Sequence, residues 1–120
     1  MGTILLADDD AAMRDFVKRA LSSEGHTVYA ADDGTEALKL LDAHGGAIGI
    51  IVTDLDMPGL DGISLAKEAR ARHPGIAIVF MTAFADQLDR TRVLGTERIT
   101  ALAKPFPLDK IKQTVRAIAG

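Results

Sequence analysis

A chain of 120 residues, 48% of them hydrophobic, can bury one core and falls short of two domains of the usual size. Fourteen Lys and Arg against 17 Asp and Glu leave a formal charge of −3 with no basic run, which argues against a nucleic-acid binder. Zero cysteines exclude disulfides, thiolate zinc sites and cysteine nucleophiles, and lead us to expect a cytoplasmic protein.

The first apolar run, Thr3–Ala7, reads as a strand, and Asp8, Asp9 and Asp10 follow it too early for a signal peptide. Gly2 opens like a myristoylation site, but Leu6 stands where Ser or Thr is needed. Asp10 then serves as N-cap for a first helix with the stripe Met13, Phe16, Val17, Ala20 and Leu21. Thr27–Ala31 is the second strand. A shorter second helix carries Ala37, Leu38 and Leu41 and ends at Gly45-Gly46.

The third strand spans Ile48–Asp54, within an apolar stretch far shorter than the roughly 20 residues of a membrane span. No membrane insertion is expected. Gly62–Arg72 forms the third helix on Ile63, Ala66 and Ala69, and His73-Pro74-Gly75 stops it. Ile76–Thr82 is the fourth strand. From Asp86 to Glu97 the stripe of Leu88, Val93 and Leu94 is ragged, interrupted by Thr91 and Gly95, so the fourth helix is short or mobile. Ile99–Ala103 makes the fifth strand, and Leu108, Ile111, Val115 and Ile118 mark the fifth helix.

Regular alternation of apolar strands with helices predicts a doubly wound α/β fold, a parallel sheet covered on both faces. Residues 1–120 read as a single domain without an effector domain. In such sheets ligands collect beyond the carboxyl ends of the strands. Those ends carry Asp8 and Asp9, Asp54, Thr82 and Lys104, whereas strand two ends in Ala30-Ala31, as a marginal strand does in the order 2-1-3-4-5.

Carboxylates about 4 Å apart repel by roughly 4 kcal/mol per pair at an effective dielectric near 20, so the cluster needs protonation, Lys104 or a cation. Oxygen donors without Cys or converging His favour a hard ion, Mg²⁺, with Mn²⁺ as substitute. A metal, a central carboxylate, a hydroxyl and a lysine suit phosphoryl transfer onto Asp54, with Thr82 and Lys104 on the phosphoryl oxygens. Small Ala83, together with Gly59 and Gly62, leaves room for a phosphodonor.

With ILLADDD, VTDLDMPGLDG, FMTAF and AKPF, the whole chain resembles the receiver domains of two-component response regulators, the family of CheY, whose sheet has the same 2-1-3-4-5 order. The resemblance implies a flavodoxin-like (βα)5 three-layer sandwich. It implies that Asp54 accepts phosphate from a histidine kinase or phosphotransferase. Mg²⁺ would be held by Asp8, Asp9, Asp54 and the Asp56 backbone carbonyl. Thr82 and Lys104 would contact the phosphoryl group, and Lys104-Pro105 would be cis. Such a domain is a switch rather than an enzyme, catalysing only its own phosphorylation and dephosphorylation, with protein contacts at the helix 4, strand 5, helix 5 face as output.

The sequence departs from that pattern in its output region. Ala101 replaces the usual aromatic three residues before the lysine, Phe84 replaces a more polar residue after Thr82, and Gly95 comes two places early. Signalling by ordering or shifting residues 83–100 is therefore expected. Met13-Arg14, TAFA and Ala101 are similar to the CpdR type, stand-alone receivers acting as phosphorylation-controlled adaptors for the ClpXP protease. Asp56 either influences water attack on the phosphoaspartate or faces solvent. His26, His44 and His73 receive no role, Phe16, Phe80 and Phe106 are assigned to the core, and Phe84 is the aromatic of interest if exposed.

Two other readings remain. DLDMPGL resembles the loop of haloacid-dehalogenase-type phosphatases, with Asp54 as nucleophile and Asp56 as general acid, although that loop should follow the first strand and needs a cap. A degenerate receiver used only for binding is the second, although it would not need Asp8, Asp9, Asp54, Thr82 and Lys104 together.

Overall fold

The computed structural model of the chain describes residues 2–95 and 97–119. Five strands, β1 (Thr3–Ala7), β2 (Thr27–Ala31), β3 (Ile50–Asp54), β4 (Ala77–Thr82) and β5 (Ile99–Ala103), form one parallel sheet in the order β2-β1-β3-β4-β5. Helices α1 (Ala11–Ser23), α2 (Gly34–His44), α3 (Gly62–Arg72) and α4 (Leu108–Ala119) cover it. The doubly wound α/β architecture is as expected.

The two-residue period of each strand divides the core. On β1, Leu5 and Ala7 face α2 and α3, packing among Ala37, Leu41, Leu65 and Ala66, while Ile4 and Leu6 pack among Val17, Leu21, Ile111 and Val115 of α1 and α4. Burial on both faces accounts for strands that read as continuous apolar runs. An aspartate starts each of α1, α2 and α3. Asp10 accepts from Ala12 and Met13 N–H, Asp33 from Glu36 N–H and Asp61 from Ser64 N–H, which satisfies donors the first helical turn leaves free.

Three expectations need correction. β3 begins at Ile50, not Ile48, because Gly45–Ala47 form a short 3-10 turn, and β4 begins at Ala77. The expected fourth helix is a 3-10 helix over Ala85–Leu94, so the terminal helix is α4. Gln87 N–H bonds to Phe84 O and Gly95 N–H to Arg92 O, both three residues back. Leu94 packs partly buried against the core, while the side chains of Leu88 and Val93, like Thr96, lie outside the described residues. The apolar stripe of this segment is ragged in the sequence, interrupted by Thr91 and Gly95, and so weak a stripe does little to hold an α-helix.

Phe16 is the third correction. Phe80 and Phe106 are buried, but Phe16 is 38% exposed at the edge of the α1 stripe, beyond the part that the sheet and α4 cover. It lines two concavities of about 210 and 330 Å³, one shared with Leu108 and Lys112, the other with Met13, Pro105 and Phe106. Among the described residues, no helix is long and apolar enough to cross a membrane.

Candidate functional site

The parallel register sets Ala7 beside Thr53, Asp54 beside Met81 and Thr82 beside Ala103, so the carboxyl ends of β1, β3, β4 and β5 share one edge. Asp8, directly after β1, is wholly buried. Its N–H donates to Ala31 O, its Oδ1 accepts from Asp10 N–H at 2.9 Å, and its carbonyl accepts from Arg14 Nη1 at 2.7 Å. These bonds orient a carboxylate that would otherwise be costly to bury.

Lys104 joins the two sides of the site. Its Nζ donates to Asp8 Oδ2 at 3.1 Å and lies 3.5 Å from Asp54 Oδ2. Its backbone N–H bonds to Thr82 O, and the Lys104-Pro105 peptide is cis, as expected. Burial pushes the Asp54 carboxyl above its ordinary range; Lys104 opposes that rise and Asp8 adds to it.

Asp8, Asp9 and Asp54 each offer a carboxylate oxygen within 4.8 Å of the others. With all four groups ionised, three carboxylates and one ammonium sum to −2, and the donors are all oxygen. That set fits a hard divalent cation such as Mg²⁺.

Thr82 is buried beside this cluster, and its Oγ1 accepts from Phe84 N–H at 3.1 Å and lies 3.3 Å from Phe84 O. Its hydroxyl is engaged with the backbone of the next loop. Phe84 itself is 60% exposed, so its ring is available for contact.

Gly62 does not open a path to Asp54. A Cβ there would sit 2.2 Å from Asp54 O, and its N–H donates to Leu55 O, so this glycine lets α3 cross the end of β3 in close contact. Gly59, at φ +75°, serves the exposed turn. His26 Nδ1 accepts from Gly2 N–H and His44 stacks on Tyr29 at 3.9 Å, structural roles that leave neither in the cluster.

Sequence reasoning gave neither Arg14 nor Arg90 a place in the site. The Asp56 side chain turns to Arg90 Nη1 at 2.8 Å, a pairing across 34 residues from a segment with no periodic pattern to announce it. Arg14 shares a turn of α1 with the Asp10 cap, and its basic side chain beside three carboxylates was the one available signal.

The family model for the response regulator receiver domain matches residues 4–116. This chain belongs to the response regulator receiver domain family. The receiver is 37% identical over 114 residues to the sensor kinase CckA of Brucella abortus, covering 95% of this chain and 12% of that one. Among solved structures it is similar to the receiver domain of a hybrid histidine kinase CckA, with a TM-score of 0.83, 29% identity and 97% of each chain covered. It is also similar to the Thermotoga maritima response regulator TrrA, solved in complex with Mg²⁺-BeF, with a TM-score of 0.84, 28% identity and 98% and 99% covered.

This receiver spans 12% to 49% of the length of the curated relatives it matches. Receiver domains are signalling modules that bind Mg²⁺ at an acidic pocket, and an acidic cluster stands here at the strand ends. The phosphatase reading is set aside, because the chain is a receiver and its DLD loop follows β3 rather than β1.

Proposed function

We propose that this receiver is a phosphorylation-controlled switch in which Asp54 takes a phosphoryl group from a phosphohistidine of a histidine kinase or phosphotransferase. The observation that carries it is Lys104, whose ammonium lies between buried Asp8 and Asp54 beside three converging carboxylates. An Asp54 carboxylate oxygen attacks phosphorus, the P–N bond breaks, and the imidazole leaves with its electron pair. Lys104 holds positive charge where phosphoryl oxygens arrive, and the Thr82 hydroxyl donates to one of them by leaving Phe84 O.

Asp8, Asp9 and Asp54 carboxylates with the Asp56 backbone carbonyl would hold Mg²⁺. Bound there, the ion neutralises charge on the phosphoryl oxygens. Output passes to a protein partner at the face of the 3-10 helix, β5 and α4, where exposed Phe84 introduces the segment. Met13-Arg14, the TAFA sequence and Ala101 in place of an aromatic support a protease-adaptor role of the CpdR type, and the lack of cysteine supports a cytoplasmic setting for it.

Intact mass after incubation with acetyl phosphate, with and without Mg²⁺, tests the reading. One phosphoryl increment that needs both Mg²⁺ and Asp54 is expected. An increment that persists in Asp54→Ala, or none in the wild type, overturns it.

A further inference from the structure

Arg90 lies in the 3-10 segment, yet its guanidinium reaches the loop that follows Asp54. Nη1 donates to Asp56 Oδ1 at 2.8 Å and to Gln87 Oε1 at 2.7 Å, and Nη2 lies 3.4 Å from Asp61 Oδ2. Asp56 follows the acceptor by two residues, with its N–H 3.5 Å from Asp54 Oδ1. Asp61 caps α3 through its other oxygen. One side chain thus ties residues 85–94 to both ends of the loop between β3 and α3.

The tie is exchangeable. Arg90 and its two partners are each more than a third exposed, where ion pairs contribute little and open readily. The guanidinium is also split between carboxylates of two residues rather than held by both oxygens of one. A phosphoryl group on Asp54 would present three oxygens and close to two negative charges, a better match to the guanidinium fork than either carboxylate.

We propose that Arg90 is a phosphoryl-binding residue of this receiver, held by Asp56 and Asp61 while Asp54 is unmodified and transferred to the phosphoryl oxygens once Asp54 carries the group. This rests on Asp54 as the acceptor. The transfer changes which atoms anchor the 3-10 segment, and it gives a chain with Ala101 in place of an aromatic a direct route from the acceptor to the surface around Phe84. Asp56 loses its counter-ion in that transfer.

Amide exchange over residues 84–95, with and without Mg²⁺ and beryllofluoride, separates this from a purely structural ion pair. The chains compared are the wild type, Arg90→Met, Arg90→Lys and the double variant Asp56→Asn with Asp61→Asn, in which Asn keeps the α3 cap. Without beryllofluoride, Arg90→Met and the double variant exchange roughly three to ten times faster than wild type in this segment. With it, the double variant returns to the wild-type rate, Arg90→Met stays fast and Arg90→Lys falls between. Slowing of Arg90→Met to the wild-type rate, or a double variant that stays fast, overturns the proposal. Bound fluoride is read independently by ¹⁹F resonance. Its absence from the wild type removes the acceptor reading and this inference with it, whereas its presence with either contrary exchange pattern removes this inference alone.

Discussion

Lys104 and Asp8, 96 residues apart, meet at 3.1 Å with the carboxylate wholly buried and the lysine 12% exposed. Lys104 is therefore the internal counter-ion of the acidic cluster and competes with any cation that enters it. Lys104→Met leaves Asp8 buried without that charge, a change that costs about 2–4 kcal/mol in the metal-free state. The same variant gains more from Mg²⁺ than the wild type does. Calorimetric melts with and without Mg²⁺ check both, and an equal Mg²⁺-dependent gain in the two chains counts against this role for Lys104.

Asp54 carries the opposite liability. Its carboxyl is raised above the ordinary carboxylate range by burial first and by Asp8 as well, against the pull of Lys104. A raised folded-state value means that the protonated form is favoured in the native chain. That contribution to stability is fully present below the unfolded value and is lost as pH rises through the folded one. Without metal, Asp54→Asn should melt a few degrees above wild type at pH 7, with the gap closing toward pH 4. Parallel melting curves of the two proteins across that range would contradict it.

Gly62 has no space for a side chain. A Cβ 2.2 Å from Asp54 O must displace backbone, either the start of α3 or the end of β3. Gly62→Ala is expected to cost about 2–3 kcal/mol and, by moving Asp54, to lower phosphorylation by acetyl phosphate. Urea denaturation gives the first and intact mass the second. Alanine tolerated without loss at this position would mean that the approach of α3 to β3 is looser than described.

Arg98 adopts φ +56°, a left-handed conformation that costs a residue with a Cβ about 1–2 kcal/mol, while its carbonyl is held by Ile78 N–H and Arg70. Arg98→Gly removes that cost at some expense in chain entropy, for a net gain of up to about 1 kcal/mol, and Arg98→Val destabilises by a similar amount or more. Denaturation midpoints of the two variants should move in opposite directions.

Local patterns carried much of this molecule. The five strands, the Asp10 cap of α1, and the convergence of Asp8, Asp9, Asp54 and Lys104 follow from two-residue and helical periodicities and from the rule that parallel strands end at one edge. Each needs only residues close in sequence, or the order in which strands recur. Periodicity could not say whether Phe16 at the margin of its stripe would be covered, because that depends on how far the sheet and α4 reach. Nor could it show that Gly62 meets the Asp54 carbonyl, that the weak stripe after β4 settles into a 3-10 helix, or that Arg90 finds Asp56 and Asp61. The Gly62 and Arg90 contacts were decided by distances between residues 8 to 34 apart in sequence, where a few tenths of an ångström or one rotamer of a long side chain selects the partner.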